Sequence, residues 1–230
     1  MPFSLRSLIG DIGAGLAGLL YPALCLGCER RLAADGPPAA LCASCLRGLP
    51  RPEPDAARAL LGAAPVEAAV ALWAFDAGGA VQRVQHALKY GGRPSLGVPL
   101  GRLLGRALRA GGAGGADLVV PVPLSPTRLL ERGYNQAAAL ADGVADALGA
   151  EVAPDLLART RATQRQATLA RPARVANVEG AFALRAGADV AGRRVLLVDD
   201  VLTTGATAAA AARTLAEGGA AVSVGALALA

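Results

Sequence analysis

The sequence predicts an α/β fold, a parallel β-sheet flanked by helices and preceded by a small cysteine-bearing module. Three observations carry this expectation. Val195, Leu196, Leu197 and Val198 form an unbroken β-branched and leucine run, the mark of a strand buried on both faces of a parallel sheet. Runs of this kind alternate along the chain with Ala- and Leu-rich stretches of high helix propensity. The four cysteines, in contrast, all lie near the amino terminus in two C-x2-C pairs.

With 230 residues the chain has room for one medium α/β domain and a small appendage, and an apolar fraction of 53% is ample for a core. Aromatic residues make up only 3%, so the core is built from small and branched aliphatic side chains. The same scarcity argues against an aromatic stacking platform for single-stranded nucleic acid. A net charge of +5 suits nucleic acid, and equally an enzyme that handles a polyanionic small molecule. Every basic residue except Lys89 and the lone His86 is Arg, which singles out the compact Lys89 ammonium.

Leu5, Leu8, Ile9, Ile12, Leu16, Leu19 and Leu20 fall at helical spacing and predict an apolar-striped packing helix. Arg6 and Asp11 interrupt it, and the apolar run is too short to span a bilayer, so neither export signal nor membrane span is expected. Contact of this helix with a membrane surface stays open. A cytoplasmic location follows.

Cys25, Cys28, Cys42 and Cys45 have the spacing of a closed four-sulfur zinc site. The competing reading is two disulfides, which a reducing cytosol disfavours. Four thiolates leave no open coordination position, so the zinc is structural, and its binding supplies on the order of 10 kcal/mol to a segment without its own core. The helix and this ribbon make up residues 1–48. Pro50, Pro52 and Pro54 then forbid regular helix or central strand, and residues 49–65 are expected to be a linker. The main domain follows over 66–230.

Within it, residues 66–75 predict a strand with Trp73 and Phe75 on one apolar face. Residues 81–90 predict a helix ended by Gly91 and Gly92, with Gln82, Gln85, His86 and Lys89 along one polar side. Gln82 and His86 are read as solvated, and Lys89 as a site candidate. A helix over 96–109 and a buried strand over 117–120 come next, and the strand runs into Pro121, Val122, Pro123 and Leu124, a stiff loop. Arg128, Arg132, Asn135 and Gln136 surround a glycine turn at the start of an Ala-rich helix reaching 148. These groups either clamp phosphate oxygens or cap the helix.

Residues 159–174 hold five arginines without one acid, including Arg161 and Arg171, together with Gln164. They read as an anion-seeking loop or as a solvated basic turn. After the strand over 195–198 come Asp199 and Asp200, then Thr203, Thr204, Gly205, Ala206 and Thr207 entering a helix that extends to 215. Unpaired acids cannot continue into a core, which places them at the carboxyl edge where open α/β sheets bind ligands. Hydroxyls and free N–H groups at a helix start form an anion cradle. Acids that take hydroxyls, beside a cradle that takes phosphate, fit a sugar phosphate. Residues 222–229 predict a last strand.

The Asp-Asp-x-x-Thr-Thr-Gly-x-Thr stretch resembles the phosphoribosyl-pyrophosphate (PRPP) motif of type I phosphoribosyltransferases. Together with the cysteine pairs and Arg132-Gly133-Tyr134-Asn135-Gln136, it resembles the ComF family of phosphoribosyltransferase-like proteins. The resemblance implies that Asp199 and Asp200 bind the ribose hydroxyls, residues 203–207 hold the 5-phosphate, and 121–124 bind pyrophosphate. It also implies that the basic loop, including Arg161, Gln164 and Arg171, closes over the site. PRPP and Mg2+ are the implied ligands, an unidentified nucleophile the acceptor, and Lys89 joins the acids as a catalytic candidate. The alternative is an accessory protein of DNA uptake that contacts DNA or the uptake machinery and uses the pocket for binding or sensing.

Overall fold

The computed structural model describes residues 24–32, 40–160 and 180–230. The amino-terminal helix expectation and Arg161, Gln164 and Arg171 lie outside these residues. The chain divides into two compact units between Gly48 and Leu49.

In the first unit a short antiparallel bridge joins Leu24 to Arg31 around a turn in which Glu29 takes a left-handed φ of 60°. Helix α1, Ala43–Arg47, follows, and the Cys42 sulfur accepts the Cys45 amide at its start.

The second unit holds a five-stranded parallel sheet in the order β1-β7-β6-β2-β3. Its strands are β1, Ala68–Ala74; β2, Leu118–Pro121; β3, Glu151–Val152; β6, Arg194–Leu202; and β7, Ala221–Leu229. The helices are α2, Ala56–Leu61; α3, Ala80–Tyr90; α4, Gly97–Ala110; α5, Pro126–Arg132; α6, Gln136–Leu148; and α7, Ala206–Glu217. An antiparallel pair, β4 (Leu157–Arg159) with β5 (Phe182–Leu184), forms a second small sheet.

The central β6 is buried on both sides, as its apolar run predicts. Val195 and Leu197 pair in register with Val222 and Val224, and all four pack with the Ala-rich face of α7 and with Ala57 and Leu61 of α2. Leu196 and Val198 leave the opposite side of the pleat and are fully buried there. The pair α4 and α6 packs on β1, β2, β6 and β7. These two helices approach at backbone distance. A Cβ at Gly101 would lie 2.1 Å from the Leu140 carbonyl oxygen, and one at Gly143 2.0 Å from that of Val98.

Residues 49–65 are not the linker expected from their prolines. Pro50 accepts the Ala74 amide at 2.9 Å, the Arg51 guanidinium donates to the Leu72 carbonyl at 3.0 Å, and Ala57, Leu61 and Ala64 are buried in the core. Proline removes a donor but leaves its acceptor, so the segment docks against β1 through carbonyls and an arginine. Helix α2 begins after the last of these prolines. Phe75 also departs from expectation: Trp73 is buried, but Phe75 lies just past the strand end and is exposed.

Candidate functional site

Strand β2 accompanies β6 only as far as the Pro121–Val198 pair, where the Val122 amide donates to the Val198 carbonyl at 2.8 Å. Strand β6 continues for four more residues, paired among the described residues with β7 alone. Asp199 and Asp200 are therefore inside the strand rather than after it, at a notch left by β2. Connections leave the two flanking strands in opposite directions, from β2 towards the edge strand β3 and from β6 towards β7. Such a switch point at the carboxyl edge is where an open parallel sheet offers a crevice.

Successive strand residues face opposite sides, and the two acids keep different company. Asp200 meets Lys89 at the end of α3, with Nζ 2.8 Å from Oδ2. The negative charge of Asp200 also reaches Tyr134, whose phenol is pushed above its ordinary pKa first by burial and then by that charge. Asp199 accepts the Asp200 amide at 2.8 Å. Burial, and next the adjacent Asp200 charge, hold its carboxyl well above the usual carboxylate range, opposed by that amide and by Lys89. On this side lies Arg159 of β4, stacked 5.5 Å from the Phe182 ring and half-buried. Burial and then Arg128 lower the Arg159 pKa, and Asp199 works against them.

Beyond β6 the chain turns through Thr203, Thr204 and Gly205 into α7. The Thr204 hydroxyl accepts the Ala206 amide at 3.4 Å, and Gly205 adopts φ 72°, a left-handed conformation. A side chain there is also barred by space, because its Cβ would sit 2.9 Å from the Leu60 carbonyl oxygen of α2. Thr203 is exposed and Thr207 half-buried. The threonines and the first amides of a twelve-residue helix thus follow the acids directly in the chain.

The segment from Arg132 to Gln136 is engaged by contacts within the chain. Ser125 caps the unexpected helix α5, and Gly133 ends it with φ 76°. Asn135 is committed at both ends: Oδ1 accepts the Ala137 amide at 3.1 Å, and Nδ2 donates to the Val122 carbonyl at 3.1 Å. Gln136 is buried, accepts Arg132 at 2.7 Å and donates to the Tyr134 carbonyl at 3.5 Å. The amides of Asn135 and Gln136 hold the fold, and Arg132 lies over the Tyr90 ring at 5.5 Å. Val122 is buried and Pro123 half-buried in the loop after β2. On α3, Gln82 and His86 are exposed as read, but Gln85 is buried.

In the first unit the Sγ atoms of Cys25, Cys28, Cys42 and Cys45 all lie within 4.8 Å of one another, with Cys28 and Cys42 3.8 Å apart. A tetrahedral shell of Zn–S bonds of about 2.3 Å places sulfurs roughly 3.8 Å apart, so the donor set fits that ion. Amides of Gly27 and Cys42 donate to the Cys25 sulfur at 3.3 and 3.2 Å. Burial opposes ionisation of Cys25, but amides from Cys42, Cys28 and Gly27 outweigh it and hold the thiol down to about 6. Cys45 is pushed up to about 12 by side-chain hydrogen bonds with the Cys42 and Cys28 sulfurs, and a bound cation would take the place of the shared proton.

Residues 134–230 match the family model described as the phosphoribosyl transferase domain. The chain is 37% identical over 140 residues to the DNA utilization protein YhgH of Escherichia coli K12, covering 59% of this chain and 61% of that protein. The chain thus spans about three fifths of the length of the first curated relatives it matches. It is 37% identical over 92 residues to Competence protein F of Haemophilus influenzae, covering 40% of each. Among solved structures, glutamine PRPP amidotransferase from B. subtilis, complexed with ADP and GMP, aligns at 26% identity and a TM-score of 0.40. That alignment covers 60% of this chain and 30% of the enzyme. Among the described residues no helix is long and apolar enough to cross a membrane.

Proposed function

We propose that this chain, which carries a phosphoribosyl transferase domain and is related to proteins named for DNA utilization and competence, binds PRPP with Mg2+ at the β2/β6 notch. It transfers the phosphoribosyl group to an acceptor. The supporting observation is the convergence of Asp199, Asp200 and Lys89 with the Thr203–Thr204–Gly205 turn at the start of α7. The acids accept hydrogen bonds from the two ribose hydroxyls, and the amides and threonine hydroxyls of the turn donate to the 5-phosphate. The loop bearing Pro121, Val122 and Pro123, which follows β2, takes the pyrophosphate in this reading.

The residues fit Mg2+, which takes one or two carboxylates together with substrate phosphates rather than a protein cage. Asp199 and Asp200 supply such hard oxygens. When bound, the ion neutralises charge on the departing pyrophosphate. As the acceptor nucleophile bonds to the anomeric carbon, the C–O bond to pyrophosphate breaks and its electron pair leaves with that group. No protein nucleophile is required; position and fixed charge lower the barrier. Lys89 holds the Asp200 carboxylate in place through their 2.8 Å ion pair. Arg161, Gln164 and Arg171 are proposed to reach the pyrophosphate from the basic segment. Zn2+ in the four-cysteine cluster is structural in this reading, and the chain works in the cytoplasm.

Calorimetry tests it. PRPP is expected to bind only with Mg2+ present, and Asp200→Asn to abolish the heat; wild-type protein without Mg2+-dependent binding overturns the proposal. A second reading is favoured by the names of the relatives: an accessory role in handling DNA, using the cysteine module or the basic surface. Gel-shift titration over salt separates the two, because phosphate contacts give a steep salt slope.

A further inference from the structure

The Arg132–Gln136 segment joins three parts of the site that are far apart in sequence. The Tyr134 hydroxyl donates to the carbonyl of Leu88, the residue just before Lys89. Arg132 stacks over the ring of Tyr90, the residue just after it. Asn135 ties the loop after β2 through the Val122 carbonyl and caps α6 in the same stroke. Lys89 is thus gripped on both sides along the chain.

Its environment shows why a grip is needed. Lys89 is the last residue but one of α3, and two glycines follow, so the helix end is where fraying is easiest. A lysine carries four rotatable bonds, and holding its ammonium in one place costs rotamer entropy. The ammonium nevertheless reaches Asp200 Oδ2 at 2.8 Å, with about a fifth of its side chain exposed. The Leu88 carbonyl is among the last four of α3, which have no amide partner within the helix. Tyr134 supplies that partner from outside. The phenol is half-buried, and its hydrogen bond fixes the last turn rather than the ammonium itself.

We infer that Tyr134 is the positioning residue for Lys89: by bonding the Leu88 carbonyl it holds the final turn of α3 so that the Lys89 ammonium stands against Asp200. Arg132, stacked on Tyr90, is the second arm of the same bracket. The motif thereby acts on the ligand through Lys89 and the loop after β2. The expected effect on ligand affinity rests on the proposed PRPP reading; the grip on Lys89 does not.

The chain itself offers a probe, because Lys89 is its only lysine. Reductive methylation with 13C-formaldehyde keeps the positive charge and gives one side-chain dimethylamine resonance, assigned by its loss in Lys89→Arg. Asp200→Asn sets the position of that resonance when the ion pair is broken. Tyr134→Phe, which deletes only the hydroxyl, is expected to move the resonance towards the Asp200→Asn position. It is also expected to weaken Mg2+·PRPP binding about fivefold, the scale of one hydrogen bond. In a Lys89→Met background, Tyr134→Phe is expected to have no further effect on affinity, which a merely structural role would not produce. Arg132→Gln serves as a second variant should Tyr134→Phe fold poorly, and is expected to move the resonance in the same direction by less. A Lys89 resonance unmoved in the folded variants overturns the inference. If wild-type protein does not bind PRPP while the resonance moves, the function proposal falls and the positioning role stands.

Discussion

Asp199 is the residue whose environment most opposes its charge. Its carboxyl is held above the ordinary range by burial and by Asp200, so the folded chain prefers it protonated. The stability this contributes is complete below the carboxyl's unfolded pKa and is lost as pH rises through the higher folded value. Asp199→Asn, neutral at every pH, is therefore expected to match wild type in urea denaturation near pH 4. At pH 7.5 it is expected to be more stable by roughly 1 kcal/mol, since removing a poorly solvated charge commonly stabilises. Equal stability at both pH values would place the carboxyl in an ordinary environment. The acids and the threonine turn were legible in the sequence because their chemistry contradicts a buried strand. Their position inside β6 was not, because it depends on where the neighbouring β2 stops. Tyr134 was visible only as one letter of a recognised string, since its partner is a backbone carbonyl 46 positions away.

At the scale of elements, α4 and α6 approach each other closely through glycines. Gly101 and Gly143 each meet a carbonyl of the facing helix. Gly101→Ala gains roughly 1 kcal/mol of helix propensity, yet its methyl must displace the Leu140 carbonyl. Overpacking against backbone costs about 1–3 kcal/mol, so the variant is expected to lose net stability in thermal or urea unfolding. A stabilised variant would mean that the helices slide apart freely. Helices α3, α4, α6 and α7 could be placed from periodicity and glycine stops, as could the buried strands. Helix α5 and the β4–β5 pair could not: one is a seven-residue helix in a polar string, and the other depends on pairing between distant three-residue segments. Pro50, Pro52 and Pro54 misdirected the reading of 49–65, since spaced prolines exclude helix only where they stand. The core positions Ala57 and Leu61, four residues apart on α2, carried the contrary signal.

For the whole molecule, the two units draw cohesion from different sources. The larger unit has a continuous aliphatic core under its sheet. In the first unit the described residues gather four sulfurs, and two of its few buried side chains are Cys25 and Leu41. Metal removal from the full chain with a strong chelator is expected to release one zinc per chain and to abolish order around the cysteines. The main thermal transition of the sheet unit is expected to move by no more than about 2 °C, less than a 1 kcal/mol change produces in a domain of this size. Collapse of both transitions together would show that the sheet unit depends on the metal. The boundary between the two compact units, at Gly48 and Leu49, falls where the prolines begin to cluster.

In the turn entering α7, the nearest atom that a Cβ at position 205 would meet is a main-chain oxygen, that of Leu60. Substitution at position 60 leaves a carbonyl in place whatever residue is chosen, whereas any replacement at 205 meets both a collision and an unfavourable φ. Mutational tolerance across this contact is therefore lopsided. Position 60 is free to change over evolutionary time, and Gly205 is pinned.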